Sequence, residues 1–169
     1  MGTEAAIGMG SNLGDRLAHL QSAWEALVKI NGVTPLARSA IYETAPVDVP
    51  AEFKHLSFLN AVAIFDVTLD VETWSRHVHA IEDAMQRIRT GVRNAPRSID
   101  LDLLFFGDCT MSQPHLMLPH PQCTNRRFVC QPLAELRPNW VPPGNTEPIS
   151  KILQQLPEQP GVQRYQHQW

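Results

Sequence analysis

The apolar residues in the first half of the chain predict an alternation of strands and helices. A short apolar run over 5–10 predicts a first strand, and helical spacing over about 15–30 predicts an amphipathic helix. β-branched and aromatic residues predict strands over 33–42 and 58–67. Helical spacing returns over roughly 70–88 and predicts a second long helix.

Proline and glycine mark the loops around these elements. Closely spaced prolines predict a long loop over about 44–56, of the kind that often carries function. Another strand is predicted after the second helix, followed by a loop or short edge strand over 115–121. A helix is predicted over 128–136, kinked or begun near Pro132, and a short one over about 149–156. The tail with His167 and Trp169 is expected to be only a terminus.

The order of these elements predicts the fold class. Strand, helix, strand, strand, helix and strand, followed by additional helices, is the pattern of a ferredoxin-like βαββαβ sandwich. This is an α+β fold in which an antiparallel sheet carries helices on one face, here with C-terminal additions, and leaves its other face free for a site. The chain of 169 residues has no internal repeat, and we expect a single domain over 1–169.

The last strand of this pattern, within 96–107, carries an unusual pair of carboxylates. Side chains alternate along a strand, so Asp100 and Asp102 share one face while Ile99, Leu101 and Leu103 share the other. Asp is depleted in strands, and the two like charges repel unless a cation lies between them. Mg²⁺ is bound by one or two carboxylates together with substrate phosphates. The pair therefore indicates a metal site, although solvated carboxylates at a strand end are the alternative.

Arginines close to this strand change the balance towards phosphate chemistry. Four of them precede or enter it, at Arg87, Arg89, Arg93 and Arg97, with no acidic residue between Asp83 and Asp100. Arginine binds phosphate oxygens in a bidentate manner, and lysine occurs at only 3 positions in the chain. Metal-binding carboxylates beside arginines are what phosphoryl transfer requires.

Composition excludes several other classes of protein. The net charge of −3 gives no overall attraction to nucleic acid or to an anionic membrane. Three cysteines without a Cys-x-x-Cys pair argue against a disulfide framework and favour a reducing compartment. No segment resembles a signal peptide or reaches the length of a membrane span, so the expected location is the cytoplasm.

Other candidate motifs are weaker. Gly8, Gly10 and Gly14 miss the dinucleotide-binding spacing by one residue, and there is no P-loop. A zinc set could be imagined from Cys109, His115, His120 and Cys123, but its spacing follows no known pattern.

Three residues in apolar surroundings leave two interpretations open. Asn60 in the strand over 58–67 either faces water from an edge strand or recognises a heterocycle through its amide, beside the aromatic ring of Phe58. Phe128 either belongs to the core or stacks on a ligand.

Five short motifs occur together in the chain. They are Gly10-Ser11-Asn12-Leu13, Tyr42-Glu43-Thr44-x-Pro46, Phe58-Leu59-Asn60-Ala61, Pro96-Arg97-x-Ile99-Asp100-Leu101-Asp102-Leu103-Leu104, and Leu118-Pro119-His120-Pro121 followed by Arg126 and Phe128. In this order they resemble the 6-hydroxymethyl-7,8-dihydropterin pyrophosphokinase family of folate biosynthesis, over about residues 5–156. The Pro-Arg-x-x-Asp-x-Asp motif is the most specific of them.

The resemblance implies an activity and a set of partners. Members of the family transfer the terminal diphosphate of ATP to the pterin hydroxymethyl group and release AMP, usually with two Mg²⁺ ions. The expected partners are therefore ATP and 6-hydroxymethyl-7,8-dihydropterin, with neither nucleic acid nor membrane. The expected cofactor is Mg²⁺, and the expected assembly is a monomer.

The resemblance also implies roles for individual residues. The expected catalytic residues are Arg87 and Arg97 at the phosphates and Asp100 and Asp102 at the metal ions. The expected ATP contacts are Glu82, Arg87, Arg97, Leu103, His120 and Arg126. The expected pterin contacts are Thr44 and Val47 through backbone groups, Asn60 through hydrogen bonds to the ring edge, and Phe58 and Phe128 on the ring faces.

The chain departs from the family pattern mainly around the expected ATP site. Asn94-Ala95 stands where many members have Trp-Gly, and Thr90 replaces a common lysine. His115, Met117 and Pro121 also differ from residues that some members have there. One alternative to an active enzyme is therefore a pterin-binding and nucleotide-binding paralogue with weak turnover. A second is a phosphoryl-transfer enzyme that uses the Asp pair on nucleic acid, against which stand the net charge of −3 and the lack of a continuous basic stripe.

Overall fold

A six-stranded antiparallel sheet is the frame of the computed structural model, which describes residues 1–85, 96–166 and 168–169. The strands of the sheet are β1 (Thr3–Ser11), β2 (Val33–Arg38), β3 (Ile41–Thr44), β4 (Phe58–Val67), β5 (Asp100–Phe106) and β8 (Val162–Gln166). Their order is β5-β1-β4-β3-β8. Strand β2 pairs with residues 63–67 of β4, on the same side of β4 as β3, which pairs with residues 58–60. A separate hairpin joins β6 (Met111–Gln113) to β7 (Leu116–Leu118). The helices are α1 (Arg16–Val28), α2 (Val71–Ala84), α3 (Arg127–Leu136) and α4 (Ile149–Gln155).

The first face of the sheet packs against α1 and α2. Each helix begins at an aspartate whose side chain accepts a backbone N–H: Asp15 from Ala18, and Asp70 from Thr73. Their apolar sides close a core with the sheet, which includes Ile7, Met9, Leu20, Leu27, Phe65, Trp74, Val78 and Leu101. Within the described ranges, no helix is long and apolar enough to cross a membrane. The predicted second helix is confirmed over Val71–Ala84, and its predicted end at 86–88 lies outside the described residues.

The predicted ferredoxin-like α+β fold is confirmed, and its C-terminal additions lie on the second face of the sheet, which is therefore not wholly free. At one end α3 and α4 cover it with Cys130, Leu133 and Ile149, which pack on Leu104 and Phe105 of the sheet and their neighbours. The pattern of β5 explains this division, because Asp100 and Asp102 are followed on the same face by apolar Leu104. One end of the face is therefore core, and the other is open as far as residues 1–85, 96–166 and 168–169 show.

Two predicted segments are more divided than expected. The single strand predicted over 33–42 is two strands, β2 and β3. They separate at Ser39. The hydroxyl of Ser39 accepts a hydrogen bond from the backbone N–H of Val62 on β4, which a continuous strand would instead have bound through a backbone carbonyl oxygen. Within the predicted loop over 44–56, Ala51–Phe53 form a single 3₁₀ turn. The segment over 115–121 supplies β7, which is paired with β6.

The C-terminal residues are part of the fold, and the expectation of a simple terminus is wrong. Strand β8 pairs with β3 along its length, from Ile41 with Gln166 to Thr44 with Val162. Trp169 is only 9% exposed, and its indole N–H donates to the carbonyl oxygen of Ser39 at 2.8 Å. Position 167 lies outside the described residues.

Replacing Leu133 by alanine tests whether α3 is held by burial on the second face. Leu133 is fully buried there, so we expect Leu133→Ala to lower the free energy of unfolding by about 2–5 kcal/mol in urea denaturation. Leu36→Ala is the matched control, because Leu36 is 49% exposed on β2 and should change the value by less than about 0.5 kcal/mol. Equal effects of the two substitutions would contradict this packing.

Candidate active site

An open cleft lies on the uncovered end of the second face, beside the start of α3. Its floor is formed by β1, β4 and β5 through Gly8, Gly10, Asn60, Asp100 and Asp102. Its walls include Thr44, Ala45, Val47, Val49, Phe58, Arg97, His120, Gln122, Arg126 and Phe128. The cleft therefore brings together most of the residues expected at the site, from six separate parts of the chain.

Glycine at two floor positions leaves room for side chains of the neighbouring strands, one polar and one apolar. A Cβ at Gly10 would lie 3.0 Å from the Asn60 side-chain oxygen, and one at Gly8 would lie 3.3 Å from Leu104. Both distances are shorter than ordinary van der Waals contact. At these two positions the floor is therefore bare backbone, so a substrate can lie close to the sheet there.

The two carboxylates of β5 point into the cleft, as the alternation of the strand predicts. Asp100 and Asp102 line it, while Leu101 and Leu103 lie in the core beneath. A guanidinium nitrogen of Arg97 is 3.3 Å from Asp100, and His120 Nε2 is 3.8 Å from Asp102. The carboxylates thus lie among basic groups in a concave site, which disfavours the alternative of a merely solvated strand end.

His120 is held as a neutral donor. The backbone N–H of Gln122 donates to His120 Nδ1 at 3.1 Å, so in the neutral ring the proton is on Nε2, the nitrogen nearer Asp102. Burial lowers the pKa of His120, and the positive charge of Arg126 lowers it further, against a smaller opposite effect of Asp100. The ring therefore offers an N–H to an oxygen in the cleft without adding a full charge.

The carboxylate pair is suited to one kind of metal ion. Among the residues that the structure describes, no group of three or more His, Cys, Asp or Glu could hold a metal ion, so the imagined zinc set is not assembled. In that set, burial raises the pKa of the Cys123 thiol to about 11, which keeps it protonated. Two carboxylates facing an open cleft fit Mg²⁺, which needs few protein ligands and takes the remainder from phosphate and water.

Asn60 faces the cleft from the interior of the sheet. Strand β4 is paired on both sides, and Asn60 is 7% exposed, so the edge-strand interpretation is wrong. Its side-chain nitrogen donates to the hydroxyl of Thr44 at 2.8 Å, which fixes the amide and leaves its second N–H for another acceptor. Phe58, Phe128 and Val47 supply apolar surface around it. This wall combines a fixed amide with ring faces, which suits a flat heterocycle with a polar edge.

A second groove adjoins the first cleft. It lies between α2, β5 and the β6–β7 hairpin, and its lining includes Ser75, Val78, His79, Leu103, Pro114, His115, Met117 and Pro121. Asp102, His120 and Gln122 line both cavities. The two cavities therefore meet at a carboxylate of the pair and at the neutral histidine.

Two of the expected site residues are placed differently from the rest, and a third lies outside the described residues. Glu82 is fully buried under β5, where its carboxylate accepts the N–H of Leu101 at 2.7 Å, and it lines neither cavity. Leu103 lines the second groove but is only 7% exposed. Arg87 lies outside the described residues, as do Arg89 and Arg93. The expected ATP contacts of these residues stay predictions.

Asn12 is a positioning residue that the sequence pattern did not single out. Its backbone N–H donates to the carbonyl oxygen of Arg97, and its side-chain oxygen accepts the N–H of Arg97 at 2.9 Å. Asn12 is 2% exposed, and its side-chain nitrogen has no partner among the described residues. The turn after β1 thereby fixes the backbone from which the Arg97 guanidinium reaches Asp100. Its only sequence signal was membership of the Gly-Ser-Asn-Leu motif.

The family model described as 7,8-dihydro-6-hydroxymethylpterin-pyrophosphokinase (HPPK) matches residues 6–138 of this chain. The chain belongs to this family. Two bacterial relatives are named 2-amino-4-hydroxy-6-hydroxymethyldihydropteridine pyrophosphokinase. The one from Methylorubrum extorquens is 38% identical over 89% of this chain and 94% of its own length. The one from Synechocystis is 34% identical over 90% of this chain and 75% of its own length.

Longer proteins also contain a region similar to this chain. The folic acid synthesis protein fol1 of Schizosaccharomyces pombe is 36% identical over 95% of this chain, which spans only 21% of that protein. A crystal structure of Plasmodium falciparum HPPK-DHPS with pteroate superimposes with a TM-score of 0.69 and 16% identity, over 90% of this chain and 42% of that one. This likeness supports the fold, which is that of the HPPK domains.

Replacing Asn12 by alanine tests its hold on Arg97. We expect Asn12→Ala to leave the Arg97 N–H unpaired, to lower the free energy of unfolding by about 1–3 kcal/mol, and to slow AMP release in a pyrophosphokinase assay. Urea denaturation and the initial rate measure the two effects separately. Asn145→Ala, at an exposed loop residue, is the control. A rate within about twofold of that control would show that Asn12 does not position Arg97.

Proposed function

We propose that this chain transfers the diphosphate of ATP to 6-hydroxymethyl-7,8-dihydropterin and releases AMP, with Mg²⁺ held by Asp100 and Asp102. Membership of the family and the names of the two bacterial relatives support pyrophosphokinase activity in folate biosynthesis. The observation that carries the proposal is the meeting of two cavities at Asp102 and His120. A reaction that joins two different substrates needs such a junction, where their reacting atoms come together.

The pterin occupies the first cleft. Its flat ring lies against Phe58 and Phe128, and its polar edge meets the amide of Asn60 and backbone groups at Thr44 and Val47. The carboxylates line the same cleft, and Asp102 also lines the second groove, so the hydroxymethyl group is directed towards this junction. Support for this orientation comes from the presence of aromatic, amide and charged groups in the lining of one cavity.

ATP occupies the second groove with its phosphates at the junction. Leu103 and Met117 provide apolar contacts in the groove, while Arg97 and Arg126 lie on the far side of the junction. The guanidinium of Arg126 lies 5.6 Å from the centre of the Phe128 ring, which ties a phosphate-binding charge to the pterin wall. Arg87 is proposed as a further phosphate contact because of the family resemblance.

The chemistry needs positioning and charge more than a protein nucleophile. The hydroxymethyl oxygen attacks the β-phosphorus, the bond from that phosphorus to the bridging oxygen of the α-phosphate breaks, and AMP leaves. Arg97, Arg126 and the Nε2–H of His120 face the phosphate oxygens and stabilise the charge that develops there. Mg²⁺ on the carboxylate pair, two ions by the family resemblance, supplies further charge neutralisation when bound.

The alternative of a weakly active binding paralogue is not favoured. The bacterial relatives that match most of this chain are named as pyrophosphokinases, and the carboxylate pair and Arg97 line one cleft. Of the departures from the family pattern, His115, Met117 and Pro121 line the second groove, so they bear on nucleotide binding. Thr90 and Asn94-Ala95 lie outside the described residues.

Removing either carboxylate charge tests the metal site. We expect Asp100→Asn and Asp102→Asn each to reduce AMP formation by about 100-fold or more, because the ion that neutralises the phosphates is then poorly held. Pterin binding, measured by calorimetry, should stay within about threefold of wild type, since the ring contacts lie elsewhere in the cleft. The wild-type rate should vanish with a chelator and return with Mg²⁺.

Asp108→Asn is the matched control for these variants. Asp108 follows the same strand but is exposed outside both cavities, so its loss should leave the rate within about twofold of wild type. Near-normal turnover of both carboxylate variants would remove the metal assignment. Absence of AMP with the wild-type protein, despite pterin binding, would favour the paralogue instead.

Replacing Asn60 by alanine tests the pterin site. We expect Asn60→Ala to weaken pterin binding by about 1–3 kcal/mol, the cost of leaving one or two ligand hydrogen bonds unmade. Calorimetry with a non-hydrolysable ATP analogue should show unchanged nucleotide affinity, because Asn60 does not line the second groove. Asn31→Ala, in an exposed turn, is the control. Unchanged pterin affinity of Asn60→Ala would show that the amide serves only to hold Thr44.

The proposal includes a monomeric assembly and action in the cytoplasm. Among the described residues, the large apolar side chains that are well exposed beyond Met1 are Leu36, Met117, Val141 and Tyr165, which belong to four different parts of the fold. Single exposed apolar residues of this kind are usual for a monomer. Light scattering at assay concentration measures the assembly directly.

A further inference from the structure

The strand β3 beside the pterin cleft is very short and is held from both sides. It has four residues and pairs with β4 at three positions, Tyr42 with Asn60, Glu43 with Leu59, and Thr44 with Phe58. Its other side pairs with β8, the last strand of the chain. Without β8, β3 would be a short edge strand with one row of backbone groups unpaired.

Side chains fasten β8 to β3 and to α3. The Tyr42 hydroxyl donates to the carboxylate of Glu135 at 2.6 Å, and the same carboxylate accepts the N–H of Ala40 at 3.1 Å. From β8, Arg164 donates to the Tyr42 hydroxyl at 3.4 Å and lies 5.8 Å from the centre of its ring. One network therefore joins the last strand, β3 and a helix of the second face.

A second attachment lies just before the start of β3. The Trp169 indole N–H donates to the carbonyl oxygen of Ser39, two residues before β3 begins. The Arg38 guanidinium lies 4.8 Å from the Trp169 ring and 4.9 Å from the ring of Trp24 on α1. Trp169 thus belongs to the first core, against α1, rather than being left in solvent.

The held strand leads directly into the wall of the cleft. Thr44, the last residue of β3, pairs with Val162 of β8, and its hydroxyl accepts the hydrogen bond from Asn60. The chain then continues through Ala45, Val47 and Val49, which line the same cleft. The position of this wall depends on where β3 ends.

We propose that the C-terminal segment formed by β8 and Trp169 is a positioning element for the pterin, which orders β3 and the wall after Thr44 before the substrate binds. The inference rests on the proposed function, since it assumes that this cleft takes the pterin. The segment lies beyond residues 6–138, the part matched to the family, so the family assignment does not account for it. A wall that is ordered in advance spares the substrate the entropy cost of ordering it.

The experiment loosens both attachments in the full chain. The variant Arg164→Ala/Trp169→Ala removes the contact to Tyr42 and the contacts to Ser39 and Arg38. We expect its dissociation constant for the pterin to rise about tenfold, the cost of ordering roughly one backbone residue on binding. Its affinity for a non-hydrolysable ATP analogue should stay within about twofold of wild type, because the second groove is formed by α2, β5 and the hairpin.

Two further variants keep the test specific. Tyr165→Ala is the matched control, because Tyr165 lies on the same strand but is 48% exposed, and its pterin affinity should equal that of wild type. Trp169→Phe, with Arg164 intact, keeps an aromatic ring beside Arg38 but loses the indole N–H and one of the two fused rings. Its pterin affinity should therefore lie between those of the double variant and wild type. Hydrogen exchange should become faster in residues 41–49 of the double variant and remain unchanged in β1.

The outcomes separate this inference from the proposed function. Equal weakening of pterin and nucleotide binding in the double variant would show general destabilisation and would overturn the inference. Unchanged pterin affinity, together with faster hydrogen exchange over residues 41–49, would also overturn it. If the double variant does not fold, Trp169→Phe alone decides, and pterin affinity equal to wild type overturns the inference. A wild-type chain that binds nucleotide but no pterin overturns the proposed function itself.

Discussion

The alternation of side chains along β5 is the constraint on which the rest of the site depends. Leu101 and Leu103 are buried against the first core, and a shift of one residue would bring the two carboxylates into that core instead. The cost of burying two charges makes this shift prohibitive, so the register of β5 is fixed by its apolar face. The carboxylates are then held on a rigid strand at a defined separation, which is the preorganisation that a metal and phosphate site needs.

The same strand also divides the second face into a core and a cleft. Leu104 continues the row of Asp100 and Asp102 but is apolar, and it packs with the residues under α3 and α4. Arg126 and Phe128 are therefore brought to the cleft by the helix that this apolar patch anchors. Packing at one end of the face determines the position of ligand contacts at the other.

Local sequence patterns were enough to predict much of the candidate site and most of the regular elements. The remaining features depend on contacts between residues far apart in the sequence, which local patterns do not contain. The facing of Asp100 and Asp102 follows from a two-residue period, and α1, α2 and β4 follow from periodicity and residue type. The division between β2 and β3 depends on the Ser39 hydroxyl meeting Val62, a contact between distant residues that no local window contains. Strand β8 is largely exposed and polar, so its pairing with β3 leaves no apolar pattern in the sequence. Asn12 acts through hydrogen bonds to Arg97, which the sequence alone does not indicate. The burial of Glu82 was hidden for the same reason, since a carboxylate in an amphipathic helix usually faces solvent.

The hydrogen bond from the Leu101 N–H to Glu82 has a consequence for solubility. In the part of the chain that the structure describes, β5 is the last strand on its side of the sheet, and an open strand edge invites pairing with another molecule. Two backbone groups of β5 on this edge already have hydrogen-bond partners. The N–H of Leu101 donates to the carboxylate of Glu82, and the carbonyl oxygen of Leu104 accepts the backbone N–H of His120 at 2.8 Å. The strand that carries the carboxylate pair can therefore lie at the border of the sheet without offering these groups as a template for aggregation.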